Sequence, residues 1–186
     1  CEGDRYAKYM DELRLVDMLC LRAAGSMHIA GYKATTSVRL TCAMALANMS
    51  FNKTLATNIC NCDATGDAMH SIHNLESDEA IYCMCVTMFN CSFLSSATSL
   101  SLTHKPTQLS EPVSILKLLV DILTRGPVQC IQLSMAALCN MSLKPIFHEE
   151  LAQVALAPVI KNIILQASMD IAIKLDALKL IYNVVV

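Results

Sequence analysis

The chain contains no tryptophan, and aromatic side chains make up only 5% of its 186 residues. Glycine and proline are scarce as well, at five each. The apolar mass, 54% of the chain, lies instead in Leu, Ile, Val, Ala, Met and Cys, a mix that favours packed helices over strands. Lysine and arginine are absent from Thr54 to His104, and the formal net charge is −2. Binding to nucleic acid or to an acidic membrane needs a basic stripe, so both partners are excluded. Long apolar runs are missing too. The best candidates, "PVSILKLLVDIL" and "LAQVALAPVIKNIIL", are interrupted by Lys117, Asp121 and Lys161. Both fall short of the roughly 20 apolar residues that a bilayer demands, which argues against membrane insertion. No signal or transit sequence is read at the start of the chain. Nor is there a G-x-S-x-G turn, a phosphate-cradling glycine loop or an H-E-x-x-H pair. The expectation is a non-enzyme with no cofactor and no small-molecule substrate.

Ten cysteines are present, and most fall inside apolar helical patterns, as at Cys42, Cys91 and Cys139. Cysteine there behaves as a small hydrophobe, kept free by a reducing cytosol, which makes the protein intracellular. The chain begins at a cysteine and ends on "IYNVVV" inside an apolar run. It reads as a segment of a longer protein whose neighbours cover both ends.

What is abundant is self-similarity. "MALANMS" at 44–50 returns as "AALCNMS" at 136–142, more loosely as "VTMFNCS" at 86–92 and as "KLIYNVV" at 179–185. The aligned asparagines Asn48, Asn90, Asn140 and Asn183 lie 42, 50 and 43 residues apart. Periods of this length mark a repeat architecture. Before each asparagine runs a helix of about four turns, for example "PVQCIQLSMAALCNM". Its apolar arc holds the positions ten, six, three and two before the asparagine and one after it. In the third repeat these are Cys130, Ser134, Ala137, Leu138 and Met141; in the first they are Val38, Cys42, Ala45, Leu46 and Met49. The asparagine points the other way.

A second amphipathic helix precedes each anchor helix: "LRLVDMLCLRAA", "DAMHSIHNL", "PVSILKLLVDIL" and "APVIKNIILQA". Pro112 and Pro158 suit a first helical turn, and Gly126-Pro127 breaks the chain before the third anchor helix. A shorter opening helix, plainest in "PIFHEELAQVAL", completes each unit. Four three-helix units are expected over 1–50, 51–92, 93–142 and 143–186. Ser92 to Glu111, rich in Ser and Thr, is expected to be a loop extension, and Gly25 to Thr36 an irregular patch.

The recurring "A-L-x-N-[LM]-[SA]" ending resembles the armadillo repeat of importin-α and β-catenin over the whole chain. "AMALANMS" and "SMAALCNMS" carry the likeness best. The resemblance implies an all-α, right-handed superhelical solenoid of about four three-helix repeats. Its third helices would line a concave groove, where an asparagine ladder hydrogen-bonds an extended peptide. One departure is specific. Importin-α carries a tryptophan four residues before the asparagine, whereas this chain has Met44, Val86, Ala136 and Lys179 there. A clamp for a basic nuclear-import signal is absent, and Lys179 opposes a basic peptide.

Two readings of the asparagines stand side by side. One is recognition of a ligand backbone by the amide's donor and acceptor together. The other is a tie from each repeat to the next through backbone groups near the helix end. If a groove exists, its floor also holds Ser37, Thr41 and Met44; Glu79, Cys83 and Val86; Gln129, Leu133 and Ala136; and Ala172, Asp176 and Lys179. The candidate partner-binding set is Asn48, Asn90, Asn140, Asn183, Met44, Val86, Gln129 and Lys179.

"CNCDATGDAMHSIH" places Cys60 and Cys62 ahead of His70 and His73. Sulfur with imidazole suits tetrahedral zinc, but the spacing matches no standard finger, so no metal is assigned and these four remain a weak candidate. The sequons at Asn48, Asn52, Asn90 and Asn140 are read as coincidences of the repeat. Glu149 and Glu150 are read as a charged first helical turn.

The expected function is a non-catalytic protein–protein interaction scaffold in a larger intracellular assembly of cytoskeletal or ciliary type, located in the cytoplasm. Its partners would be an extended peptide, a helix or neighbouring subunits. The alternative is an adaptor that recognises a peptide or helix in its groove, and a remote alternative is a zinc-binding module.

Overall fold

The computed structural model describes residues 2–12, 14–25, 34–75, 77–100 and 114–185. Among them every regular element is helical: α1 (Glu2–Glu12), α2 (Leu15–Ala24), α3 (Thr36–Met49), α4 (Lys53–Asn61), α5 (Thr65–His73) and α6 (Asp78–Ser92). A 3-10 turn at Ser95–Leu100 leads to α7 (Ile115–Arg125) and α8 (Val128–Ser142). A second, at Pro145–Phe147, leads to α9 (His148–Gln153), α10 (Leu156–Leu165) and α11 (Ile171–Val185). The chain is all-α. No described helix is long and apolar enough to cross a membrane.

The helices pack in three rows. In the first row α3 packs on α6, α6 on α8 and α8 on α11. In the second α2 packs on α5, α5 on α7 and α7 on α10. The third row sets α1 on α4 and α4 on the Ser95–Leu100 turn. One continuous apolar core runs beneath all of them, from Val16 to Leu180. At its centre lie the residues two before the first three asparagines, Leu46, Met88 and Leu138, all wholly buried, whereas Ile181, two before Asn183, is exposed. Each such side chain contributes about 1.5–3 kcal/mol relative to an exposed one. All five arc positions of α8 are buried, whereas Val38 and Ala45 of α3 are half-buried. Small residues let neighbouring helices approach closely, and the Cys85 Sγ of α6 lies 3.4 Å from the Ser134 Oγ of α8.

Short polar side chains fix where helices start. Thr35 accepts the Val38 N–H, Asn52 those of Thr54 and Leu55, Ser77 that of Ala80, and Ser114 that of Lys117. Each satisfies a donor that the first turn leaves over. The sequon at Asn52 is thus a helix cap. α7 begins at Ile115, behind the Ser114 cap, so Pro112 lies before the helix and outside the described residues. Pro158 is the third residue of α10. Of the expected loop extension only the stretch to Leu100 is described, and of the Gly25–Thr36 patch only its two ends.

Glu149 and Glu150 lie in the first turn of α9, as expected, but Glu150 is not solvent-exposed. It is buried at 5% exposure and accepts a hydrogen bond from the Ser114 hydroxyl, joining α9 to the start of α7. Carboxyl and hydroxyl are paired because an unpartnered polar group buried there would be costly.

Gly25 closes α2 in the left-handed region, with φ 77°, and donates its N–H to Arg22 O. A Cβ there would stand 2.7 Å from the Arg39 Nη2. Arg39 Nη1 in turn donates to the Ser71 hydroxyl, linking α3 to α5. Gly25→Ala is therefore expected to destabilise the chain by about 1–2 kcal/mol, the cost of a left-handed alanine. Urea denaturation checks this, and an unchanged midpoint would contradict it.

Candidate partner-binding face

The asparagines enter the structure through a residue that the sequence reading passed over. Asn90 Nδ2 donates to Ser50 Oγ, Asn140 Nδ2 to Ser92 Oγ, and Asn183 Nδ2 to Ser142 Oγ, each at 2.9 Å. Each serine stands two residues after the preceding unit's asparagine and is buried. Its own hydrogen is committed: Ser50 donates to Ala47 O, Ser92 to Phe89 O and Ser142 to Cys139 O, at 2.6–2.7 Å. With the hydroxyl proton spent on its own helix, the serine can only accept, which fixes the direction of the amide. The result is a clasp between consecutive anchor helices. The sequon pattern N-x-S carries it, so the serine three times out of four at that position was the signal.

The tie differs from the expected one in detail. It runs from each unit to the one before, and mainly through a hydroxyl; only Asn183 also reaches a backbone carbonyl, Cys139 O at 3.4 Å. Two side chains reinforce the helix ends. Lys144 Nζ donates to Ser92 O at 2.6 Å and more weakly to Asn140 O, and His148 Nε2 lies 2.7 Å from Ser142 O. The Lys144 charge is favourable at these carbonyl-rich ends. Burial in the junction pushes the Lys144 ammonium below its ordinary value.

Asn48, in the first unit, is exposed, while Asn90, Asn140 and Asn183 are half-buried. The remaining candidates lie on the same side of their helices. Met44, Gln129 and Lys179 are exposed and Val86 is half-buried. Among the other floor residues Ser37, Thr41, Glu79 and Ala172 are exposed, and Leu133, Ala136 and Asp176 half-buried; Cys83 is buried. A further position, eight before each asparagine, belongs to this face. There Tyr82, Gln132 and Leu175 are exposed and Leu40 is half-buried. Residues four apart on a helix share a face, so these could have been found from Met44 and Val86. Lys179 is not a bare cation, since its Nζ bonds Asp176 Oδ1 at 2.7 Å, and that carboxylate raises the Lys179 ammonium.

The four zinc candidates go to four different neighbours. Cys60 is buried on α4, and Cys62 borders an open pocket with Met18 and Leu21 of α2. His70 Nε2 bonds the Asn74 amide at 2.9 Å, and His73 Nε2 stands 3.8 Å from Asp121. Among the described residues no three His, Cys, Asp or Glu side chains are gathered to hold an ion. His73 and Asp121 do border an open cleft of about 570 Å³ between α5 and α7, but Arg125 already pairs with Asp121 there. In comparisons with known proteins, no family model and no curated protein matches the chain.

Proposed function

We propose that this chain is a non-catalytic scaffold of armadillo type, a right-handed solenoid of four three-helix units that binds protein partners along its row of third helices. The observation that supports this most is the exposed side of α3, α6, α8 and α11, where Met44, Tyr82, Gln129 and Leu175 lie open and Val86 is half-buried beside the asparagines. Such a strip is apolar with scattered polar groups, which suits a helix or an extended segment of another protein. Its charges are few, and Lys179 is compensated by Asp176, so neither a basic nor an acidic partner is selected. A cytoplasmic assembly of cytoskeletal or ciliary type is the setting proposed for it. The chemistry is recognition alone, and no cofactor is assigned.

The asparagine clasp modifies the adaptor alternative. One hydrogen of each amide on Asn90 and Asn140 is engaged within the fold, which leaves the second hydrogen and the carbonyl oxygen for a ligand, whereas Asn183 Nδ2 bonds both Ser142 Oγ and Cys139 O. Changing these residues would therefore confound folding with binding. A cleaner test places a photo-crosslinking amino acid at Val86 or Gln129, and as controls at the exposed Thr54 and Thr124 on the other two rows. In the native assembly the first pair should crosslink to the partner and the controls should not. Crosslinks confined to Thr54 and Thr124 would remove the third-helix row from the proposal.

A further inference from the structure

At the C-terminal ends of α3, α6 and α8 stand large apolar side chains that the core does not take up. Phe51, Phe93 and Leu143 each lie three residues after an anchor asparagine, and they are 62–73% exposed. An apolar residue just past a helix end commonly folds back onto the last turn. Phe93 does so, its ring 4.9 Å from that of Phe89 at an interplanar angle of 79°, yet it stays open to solvent. Four residues before Phe51 and Leu143 the chain has Ala47 and Cys139, which are too small to cover them.

The clasp sets the three side chains in a row. Asn90 grips Ser50, the residue before Phe51, and Asn140 grips Ser92, the residue before Phe93. The ends of α3, α6 and α8 are thereby held at one level. Packed helices lie about 8–10 Å apart, so the row is evenly spaced at about that interval. Single exposed apolar residues are ordinary on a surface, but a row of them at one level forms a patch.

Charge distinguishes the two ends of this ridge. Lys53, two residues after Phe51, and Glu149, six after Leu143, are exposed and make no ion pair among the described residues. Lys144 and His148, also at the Leu143 end, are turned toward the carbonyls of Ser92 and Ser142. In the middle, residues 90–100 carry no charged side chain.

We propose that this ridge is a self-association surface, on which a second copy of the chain docks antiparallel about a two-fold axis through Phe93.

An evenly spaced row of three matches itself when it is turned end for end about its middle member. Phe93 then meets the partner's Phe93 on the axis, and Phe51 meets the partner's Leu143. The same turn brings the Lys53 end of each copy over the Glu149 end of the other. Parallel docking would instead set Lys53 against lysine and Glu149 against glutamate, so charge selects the antiparallel form. Paired aromatic rings add to the gain from buried apolar area, and Phe89 already restrains the Phe93 ring. Few side chains take part, so the contact is at the low end of interface size and the dimer is weak and concentration-dependent. The ridge lies at the ends of the third helices, beyond the strip of Met44 and Gln129, and leaves that strip open in the dimer.

The test is sedimentation equilibrium of the purified full chain across the micromolar range. Expected is a reversible equilibrium between monomer and dimer. Phe93→Asp places two carboxylates on the axis and should weaken the dimer at least about tenfold. Its urea midpoint checks that the fold is kept, and Phe51→Asp asks the same question should Phe93→Asp unfold the chain. Lys53→Glu should weaken the dimer about fivefold, and adding Glu149→Lys should restore it. A chain that stays monomeric up to its solubility limit would overturn the proposal. So would a dimer indifferent to Phe93→Asp or Lys53→Glu, or a double charge reversal that restores nothing. A monomer that crosslinks from position 51 to another protein in the native assembly would give the ridge to that protein instead.

Discussion

Phe147→Ala should lower the unfolding free energy by about 3–5 kcal/mol, the range for removing a wholly buried aromatic ring. Phe147 is completely buried, yet the backbone that carries it is only the three-residue turn Pro145–Phe147, closed by Phe147 N–H to Lys144 O at 3.0 Å. So short a turn has little stability of its own. The ring anchors the start of the fourth unit, and α9 follows directly from it. Truncation leaves a cavity that neighbouring helices can only partly fill. Phe51, at 73% exposure, is the internal control, since Phe51→Ala should move stability by no more than about 0.5 kcal/mol. Guanidinium denaturation of the two variants compares them, and equal midpoints would mean that Phe147 is not the anchor described.

The clasp gives the second large effect. Ser92→Ala removes two bonds at once, the acceptor for Asn140 and the donor to Phe89 O, and should cost about 1–3 kcal/mol. Asn140→Ala removes one bond and gains helix propensity, so its loss should be smaller. The double variant should cost less than the sum of the two, with a coupling of about 0.5–3 kcal/mol. Ser142→Ala belongs to another junction, and combined with Asn140→Ala it supplies a comparison that does not share this bond. Strict additivity of Ser92→Ala and Asn140→Ala would show that the contact carries no energy.

The elements of the fold were legible in the sequence because their signals are local. Spacing of apolar residues about the anchors marks the buried faces of α3, α6 and α8, and Gly126-Pro127 marks the break before α8. The candidate face was also legible in part, because Met44, Val86, Gln129 and Lys179 follow from the helical wheel alone. What escaped were groups whose partners lie far along the chain. Ser50, Ser92 and Ser142 serve an asparagine 40 or more residues later. Glu150 sits in the first turn of α9 as expected, but its partner Ser114 lies 36 residues earlier in the chain. Cys60 and Cys62 looked like one ligand pair with His70 and His73, but α4 ends between them, so Cys60 is buried in the core while Cys62 borders an open pocket beside α2. Periodicity describes one helix's faces. It says nothing about which neighbour covers them.

The amide–hydroxyl clasp has a bearing on how such a chain can change in length. Its three examples have the same polarity and the same 2.9 Å span, so the fitting at every joint is interchangeable. A genetic duplication or excision of one whole period leaves an asparagine opposite a serine wherever the cut falls, while a change of half a period leaves both without a mate. Evolution can thus lengthen or shorten this array in whole steps without redesigning a joint. The fourth unit is the exception: Val185 occupies the serine's place there, so a helix laid against α11 would meet no hydroxyl acceptor at that position.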